Sequence, residues 1–568
     1  MKKELHVTVD FYDDTFTRRC EPPHLDRKLE YFASLGVNRL DWIWDTWNLL
    51  YREPFGGEKN PLAYAAKKAR ALGMQVHALI KPFETGFSHV PHTFPQPAGM
   101  KIWRNLNGAF SLWRDPFIVD HRDKCFKRKP GPADPGDAVT TIKLVKAGAE
   151  PTRVKKEHLQ IWTGELNGRL EPYQGEFTFS SGIEERVAFR PDQARLVQRQ
   201  VRWCEERDCL ILTLGGLSIP KHHRYIDVRC SLADGPGDFC NTQNELVEIY
   251  NGAGDRIPST PGCQNPNRFG GGINEVTLQY SEYWLYPEVR EFFRDPEKLR
   301  QASRDDYFFP PYAPEHLDGG TACVARGFDE YMPILNPVYP EVRDYWLGVV
   351  DDCIESGVAG VNIRAASHSC YNAQGYEYGF NEPVLERCGG RIDRDLAREM
   401  IGASYTELLR GAKALLKARG LALSVHVNSG MLMPEGRGFE IQSLPPNVEW
   451  QWREWIEDGI ADYVCLKDGP MLDSESRLEL FIDRVTRVAG RRGIPVIYLN
   501  PTGTLNFEGG NYRVGREMSM VAGDERLAAF NLYESACITR FAADGNIEGS
   551  ADVAALAAEY FSGRGRAS

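Results

Sequence analysis

Leu5-His6-Val7-Thr8-Val9-Asp10, then His24–Leu35, then Val37-Asn38-Arg39-Leu40-Asp41-Trp42 form the stretch that decides the fold. The first run is short and β-rich. The second carries Leu25, Leu29, Phe32 and Leu35 on one helical face and stops at Gly36. The third is again a strand. A strand, a helix and a strand in quick succession predict parallel pairing. Working outward, Pro61–Leu72 reads as a helix ending at Gly73, and Gln75–Lys81 as a third strand.

The rhythm resumes at Tyr339, with a helix to about Ser356 and a strand over Val358–Arg364. Helix Asp393–Arg419, strand Leu421–Val427, helix Asn447–Asp458 and strand Asp462–Lys467 follow. Helix Arg477–Arg492, strand Ile494–Asn500, helix Asp524–Ser535, strand Cys537–Phe541 and helix Ala551–Phe561 complete the chain. Eight strands, each eventually followed by a helix, predict a (β/α)₈ TIM barrel of class α/β. An open doubly wound sheet would want a Gly-rich turn after its first strand, and Asp10-Phe11-Tyr12-Asp13-Asp14 is not one.

The interruption, Pro82–Val338, falls between strand 3 and its helix, among the loops of the C-terminal face. Its middle, with β-rich runs at Leu159–Leu166, Leu210–Ile219, Tyr225–Leu232 and Glu245–Tyr250, predicts a sandwich-like β-rich insertion. The expected division is 1–120 for barrel strands 1–3, 121–320 for the insertion and mouth loops, and 321–568 for strands 4–8.

Composition narrows the function. The chain has 568 residues, 42% hydrophobic and 26% charged, the balance of a folded protein rather than a disordered one. A net charge of −11 argues against general nucleic-acid binding, which needs surplus Lys and Arg. No apolar run reaches the roughly 18 residues of a membrane span. The N-terminal residues lack the apolar core of a signal peptide, so the expectation is a cytoplasmic protein, or a periplasmic or secreted one if an export signal has been removed. The 13 Cys are scattered without a Cys-x-x-Cys pair, which predicts buried thiols rather than disulfides or a zinc ribbon. A homo-oligomer stays open. The basic run His121–Lys129 is either a solvated surface or an attractor of anionic glycans.

In a barrel the chemistry sits at the C-terminal ends of the strands. There the sequence offers Asp10, Asp45, Lys81, Glu84, Arg364, His368, His426, Asn428, Lys467, Asp468 and Asn500, with Trp42, Trp44, Trp47, Phe83 and Tyr498 close in sequence. Carboxylates, cations, amides and aromatic faces together are the mixture that binds sugars. No His-x-His or His-Glu-x-x-His spacing points to a metal, no Gly-x-Ser-x-Gly elbow to a serine nucleophile, and no phosphate loop to a nucleotide cofactor. The expectation is therefore no cofactor and no metal.

Tyr339-Pro340-Glu341-Val342-Arg343, Gly357-Val358-Ala359-Gly360-Val361-Asn362-Ile363-Arg364, Tyr378-Gly379-Phe380-Asn381-Glu382-Pro383-Val384, Trp452–Gly459 and Ile538-Thr539-Arg540-Phe541 resemble the glycosyl-hydrolase-like family 10 barrels. The resemblance covers the two barrel portions and not the β-rich insertion. It implies a (β/α)₈ fold and action on glycosidic bonds. This sequence departs from the pattern in lacking an acid at the end of strand 4, where it reads Arg364-Ala365-Ala366-Ser367-His368; the nearest is Glu382. Glycoside hydrolysis uses two carboxyls, one a protonated acid and one ionised. The expected catalytic pair is Asp468 and Glu382, with Lys467 helping to keep Asp468 ionised. Asp10, Asp45 and Glu84 stand in reserve, Lys81 lies beside them, and Arg364, His368, His426 and Asn428 bind hydroxyls or a substrate carboxylate. The substrate class is a glycoside, oligosaccharide or polysaccharide. A catalytically silent carbohydrate-binding barrel, and a sugar lyase or isomerase working through Lys, His or Arg, are the alternatives.

Overall fold

The computed structural model describes residues 3–11, 21–44, 55, 58–84, 117, 121–146, 148–166, 169–189, 204–232, 247–264, 321–327, 331–367, 377–432, 444–445, 447–467, 475–500, 504–542 and 546–561. Eight parallel strands close into a barrel: β1 (Glu4–Val9), β2 (Val37–Ile43), β3 (Gln75–Ile80), β4 (Gly360–Ile363), β5 (Ala422–Asn428), β6 (Tyr463–Lys467), β7 (Val496–Leu499) and β8 (Ala529–Tyr533). Sheet order follows chain order, and β8 pairs back onto β1 with Thr8 beside Tyr533. Around them run α1 (Pro22–Ser34), α2 (Pro61–Ala71), α3 (Pro340–Glu355), α4 (Glu382–Arg387), α5 (Arg394–Ala418), α6 (Trp452–Glu457), α7 (Glu475–Arg492), α8 (Tyr512–Gly523) and α9 (Ala551–Tyr560).

Six helix-to-strand joints turn on a glycine in the left-handed region: Gly36, Gly73, Gly357, Gly420, Gly459 and Gly493, with φ between 66° and 79°. The last joint is different, and here the expected element order needs correction. The eighth strand is Ala529–Tyr533, inside the segment expected to be helical, while Ser535–Cys537 is a 3₁₀ turn and Thr539–Phe541 pairs with Ile547–Gly549 in a small hairpin. Asp524, extended at the end of α8, makes this joint, its carboxylate accepting from the Arg526 N–H at 2.9 Å. The segment expected as helix Asn447–Asp458 holds only the short α6.

Strand residues alternate between two environments. Val7, Val9, Leu40, Trp42, Val425 and Leu466 pack with Leu25, Leu29 and Phe32 of α1 and their counterparts in the main core. The opposite positions fill the lumen and are mostly polar: His6, Thr8, Arg39, Asp41, His77, Asn362, Ser424, His426 and Asn531, all buried. Asp41 accepts from Arg39 Nη2 at 2.6 Å, Asn531 Nδ2 at 2.7 Å and Asn362 Nδ2 at 3.1 Å, so its charge is both paired and solvated by amides. Gly360 is required beside this network, because a Cβ there would lie 2.6 Å from the His77 ring and from the Ala422 carbonyl.

Between β3 and α3 the chain builds two five-stranded antiparallel sheets. One orders Ser259–Gln264, Thr321–Arg326, Tyr225–Cys230, Leu159–Leu166 and Arg169–Pro172; the other orders Arg256–Ile257, Val247–Tyr250, Val139–Val145, Cys204–Ile219 and Thr178–Phe189. Ile161, Ile226, Val228 and Val324 of the first share one apolar cluster with Ile142, Leu212, Leu214 and Ile249 of the second, a sheet-on-sheet core separate from the barrel's. A ribbon of Cys125–Lys127 paired with Tyr331–Leu335 lies nearer the barrel, and its Cys125, Phe126, Ile334 and Leu335 join the main core.

Candidate active site

Parallel pairing brings the C-terminal ends of all eight strands to one mouth. Asp10 follows β1, Lys81 and Glu84 follow β3, and Arg364 follows β4. His426 and Asn428 belong to β5, Lys467 ends β6, Asn500 follows β7, and Tyr533 and Glu534 end β8. The period of two aims Tyr533, Lys467, Asn428 and His426 inward.

Arg364 reaches across the mouth. Its Nη1 donates to the Tyr533 hydroxyl at 3.0 Å, linking β4 to β8 on the far side of the barrel, and its Nε donates to the Ala366 carbonyl at 3.0 Å. The guanidinium and the Lys467 ammonium both lie over the Tyr533 ring, 5.4 Å and 4.7 Å from its centre. Asn500 fixes this ring's backbone, accepting the Tyr533 N–H at 2.6 Å.

Lys81 forms an ion pair with Glu84. Burial alone would raise the Glu84 pKa, but Lys81 and Arg364 outweigh it and hold the carboxyl below its usual range. Glu534 is 8% exposed, and among the described residues its carboxylate has no hydrogen-bond or ion-pair partner. Burial, with Arg364 and Lys81 nearby, pushes the Lys467 pKa well below the ordinary lysine value, against the opposing pull of Glu534 and Glu84. Burial and the charges of Arg364 and Lys467 likewise keep His426 neutral, and among the described residues both its ring nitrogens lack hydrogen-bond partners. The Oδ1 of Asn428 is buried and unpartnered in the same way.

Of the residues expected here from sequence, Asp10, Lys81, Glu84, Arg364, His426, Asn428, Lys467 and Asn500 come together at the mouth. Asp45, His368 and Asp468 lie outside the described residues. Glu382 has a different setting. It opens α4 with its side chain 54% exposed, accepts from Lys127 Nζ at 2.6 Å, and accepts from the Tyr339 hydroxyl at 2.8 Å. Burial favours its neutral form, but Lys127, its own backbone N–H and Tyr339 prevail and lower its pKa. That is the setting of a structural ion pair, not of a protonated acid. The aromatic platform also needs correction, since Trp42, Phe83 and Tyr498 are buried in the main core, with Trp42 stacked on Phe11 at 5.2 Å. The basic run after His121 is matched locally by acids: Arg128 and Lys129 pair with Glu377, and Lys127 with Glu382.

Tyr533 and Glu534 are not among the site residues expected from sequence, because their strand falls in the segment that reads as helix Asp524–Ser535. The discernible signal is the alternation Phe530, Leu532 against Asn531, Tyr533, which sends two aliphatic or aromatic side chains outward and two polar ones inward. Among the described residues, no three His, Cys, Asp or Glu side chains gather as a metal ion would require.

No family model matches the sequence, and no curated protein does. Similar solved structures include a catalytic domain of the Group II chitinase of Ostrinia furnacalis, at 10% identity and TM-score 0.26, covering 41% of this chain and 74% of that one. The catalytic domain of a β-amylase from Paenibacillus polymyxa is similar at 9% identity and TM-score 0.34, covering 98% of each chain. No helix among the described residues is long and apolar enough to cross a membrane.

Proposed function

We propose that the mouth is a glycosidase active site in which Glu84 and Glu534 are the working carboxyls. The observation that carries this reading is that Glu84, after β3, and Glu534, after β8, stand at the same strand ends as Arg364 and Lys467, which meet on Tyr533 next to Glu534. Their settings differ in the way glycoside hydrolysis needs. Glu84 is kept ionised by two cations and suits the nucleophile or base. Glu534, with no partner among the described residues holding its carboxylate, is the proposed acid. Asn428 and His426 offer unpaired acceptors and donors to sugar hydroxyls. Asp468, next to Lys467 in sequence, is the proposed third acid.

The test is turnover of a panel of aryl glycosides and polysaccharides, with and without chelator. Glu84→Gln and Glu534→Gln should each lower kcat by about 10²–10⁴ while the fold is kept; near-normal turnover by either variant removes that residue from the pair.

A sugar lyase or isomerase working through Lys467 is the second reading, favoured by the low proton affinity of that partly buried amine. An unsaturated or isomerised product in the same assays would decide for it.

A further inference from the structure

Two cations at the mouth have no ion-pair partner among the described residues, although Glu84 and Glu534 lie close enough to act on their charge. Arg364 is 2% exposed and locked by its bonds to Ala366 and Tyr533, while its Nη2 has no hydrogen-bond partner among the described residues. Lys467 shares the Tyr533 ring with it, and among the described residues no carboxylate lies within ion-pair distance of either. Lys81, by contrast, has Glu84. Buried charges are ordinarily paired, and two like charges on one ring repel unless an anion sits between them. Beside them, β5 supplies the His426 ring nitrogens and Asn428 Oδ1, all buried and without hydrogen-bond partners among the described residues.

We infer that the sugar bound here carries a carboxylate, a uronic acid, seated between Arg364 Nη2 and Lys467 Nζ with its hydroxyls on His426 and Asn428. The planar guanidinium, fixed on two edges, presents its remaining N–H groups to a planar carboxylate. An anion there would also offset the Arg364 and Lys81 charges that add to burial in lowering the proton affinity of Lys467. This inference rests on the mouth being the glycosidase site proposed above.

Calorimetric titration of the full chain with D-glucuronate and D-galacturonate, against D-glucose, D-galactose and glucose 6-phosphate, tests it. The uronates should bind at least about tenfold more tightly than their neutral counterparts, and Arg364→Gln should erase the preference. Because Arg364 is buried, Lys467→Met provides a second variant and should reduce the preference severalfold in a folded protein. Equal binding of neutral sugars, tighter binding of the phosphate, no binding of either uronate, or a preference untouched in Lys467→Met would each overturn the inference. Aryl uronides separate the two readings. Uronate binding without hydrolysis of any glycoside overturns the hydrolase and leaves the anion site; hydrolysis of neutral glycosides as fast as uronides does the reverse.

Discussion

Asp41 shows how much of this barrel's stability hangs on single polar side chains in its lumen. It is fully buried, and removing it would leave the equally buried Arg39 without its counter-charge. Asp41→Ala should destabilise the protein by about 3–5 kcal/mol, read as a fall in the denaturant midpoint; a loss under about 1 kcal/mol would mean that water enters the lumen. The histidines make a different statement. Burial, helped by Arg39 or by Arg364 and Lys467, lowers the pKa of His6, His77 and His426 from the ordinary 6.5. The unfolded chain takes up a proton at each as pH falls through 6.5, and the folded chain does so only at lower pH. Their contribution is therefore intact above pH 6.5 and lost below it, by about 1.4 kcal/mol per histidine per pH unit until the folded value is reached. Melting temperature should drop steeply from pH 6.5 to 5.5, and His77→Phe should flatten the drop; a level profile in the parent protein would contradict buried neutral rings. Eight mouth residues were legible in sequence because a residue just past a β-rich run in a barrel has one place to go. Glu382 misled because Asn381-Glu382-Pro383 states a motif without its partners, and Lys127 and Tyr339 are distant in sequence.

Elements were legible where their boundaries carry chemistry. A helix that ends on a left-handed glycine announces the strand that follows, and six of the joints are built so. The seventh is not: α8 and β8 meet at Asp524, and the Asp-Glu-Arg sequence there reads as the start of a helix when it is a turn. Glycines inside helices discriminate further, and α5 and α3 supply a matched pair. A Cβ on Gly402 of α5 would stand 2.1 Å from the Glu449 carbonyl oxygen, which belongs to backbone that cannot step aside while the Glu449 N–H is bonded to the Arg398 carbonyl. A Cβ on Gly348 of α3 meets nothing within 4 Å. Gly402→Ala should cost about 1–3 kcal/mol or more by overpacking, and Gly348→Ala should stabilise by about 0.5–1 kcal/mol through helix propensity. Thermal denaturation of the two variants checks both signs, and equal effects would mean that α5 does not lie against residues 447–450 as described.

At the scale of the molecule, the apolar residues divide into two large cores with no member in common. One is shared by barrel strands and helices, and the Cys125–Lys127 and Tyr331–Leu335 ribbon belongs to it, so the stem of the insertion is part of the barrel's own packing. The other lies wholly within residues 139–324 and is sealed by the two five-stranded sheets. Burial of apolar area is the main cooperative force in folding, so two separate cores should yield two separable unfolding steps rather than one. Leu212→Ala removes a buried side chain from the sandwich core and Leu466→Ala one from the barrel core, each at a cost of about 2–5 kcal/mol. In scanning calorimetry each should lower a different transition by several degrees and leave its neighbour in place. Substrate analogues that bind at the mouth should raise the transition that Leu466→Ala lowers, because a ligand stabilises only the unit whose folded form it recognises. A single transition displaced equally by both substitutions would instead show that the sandwich and the barrel fold as one body, with the stem ribbon transmitting stability between them.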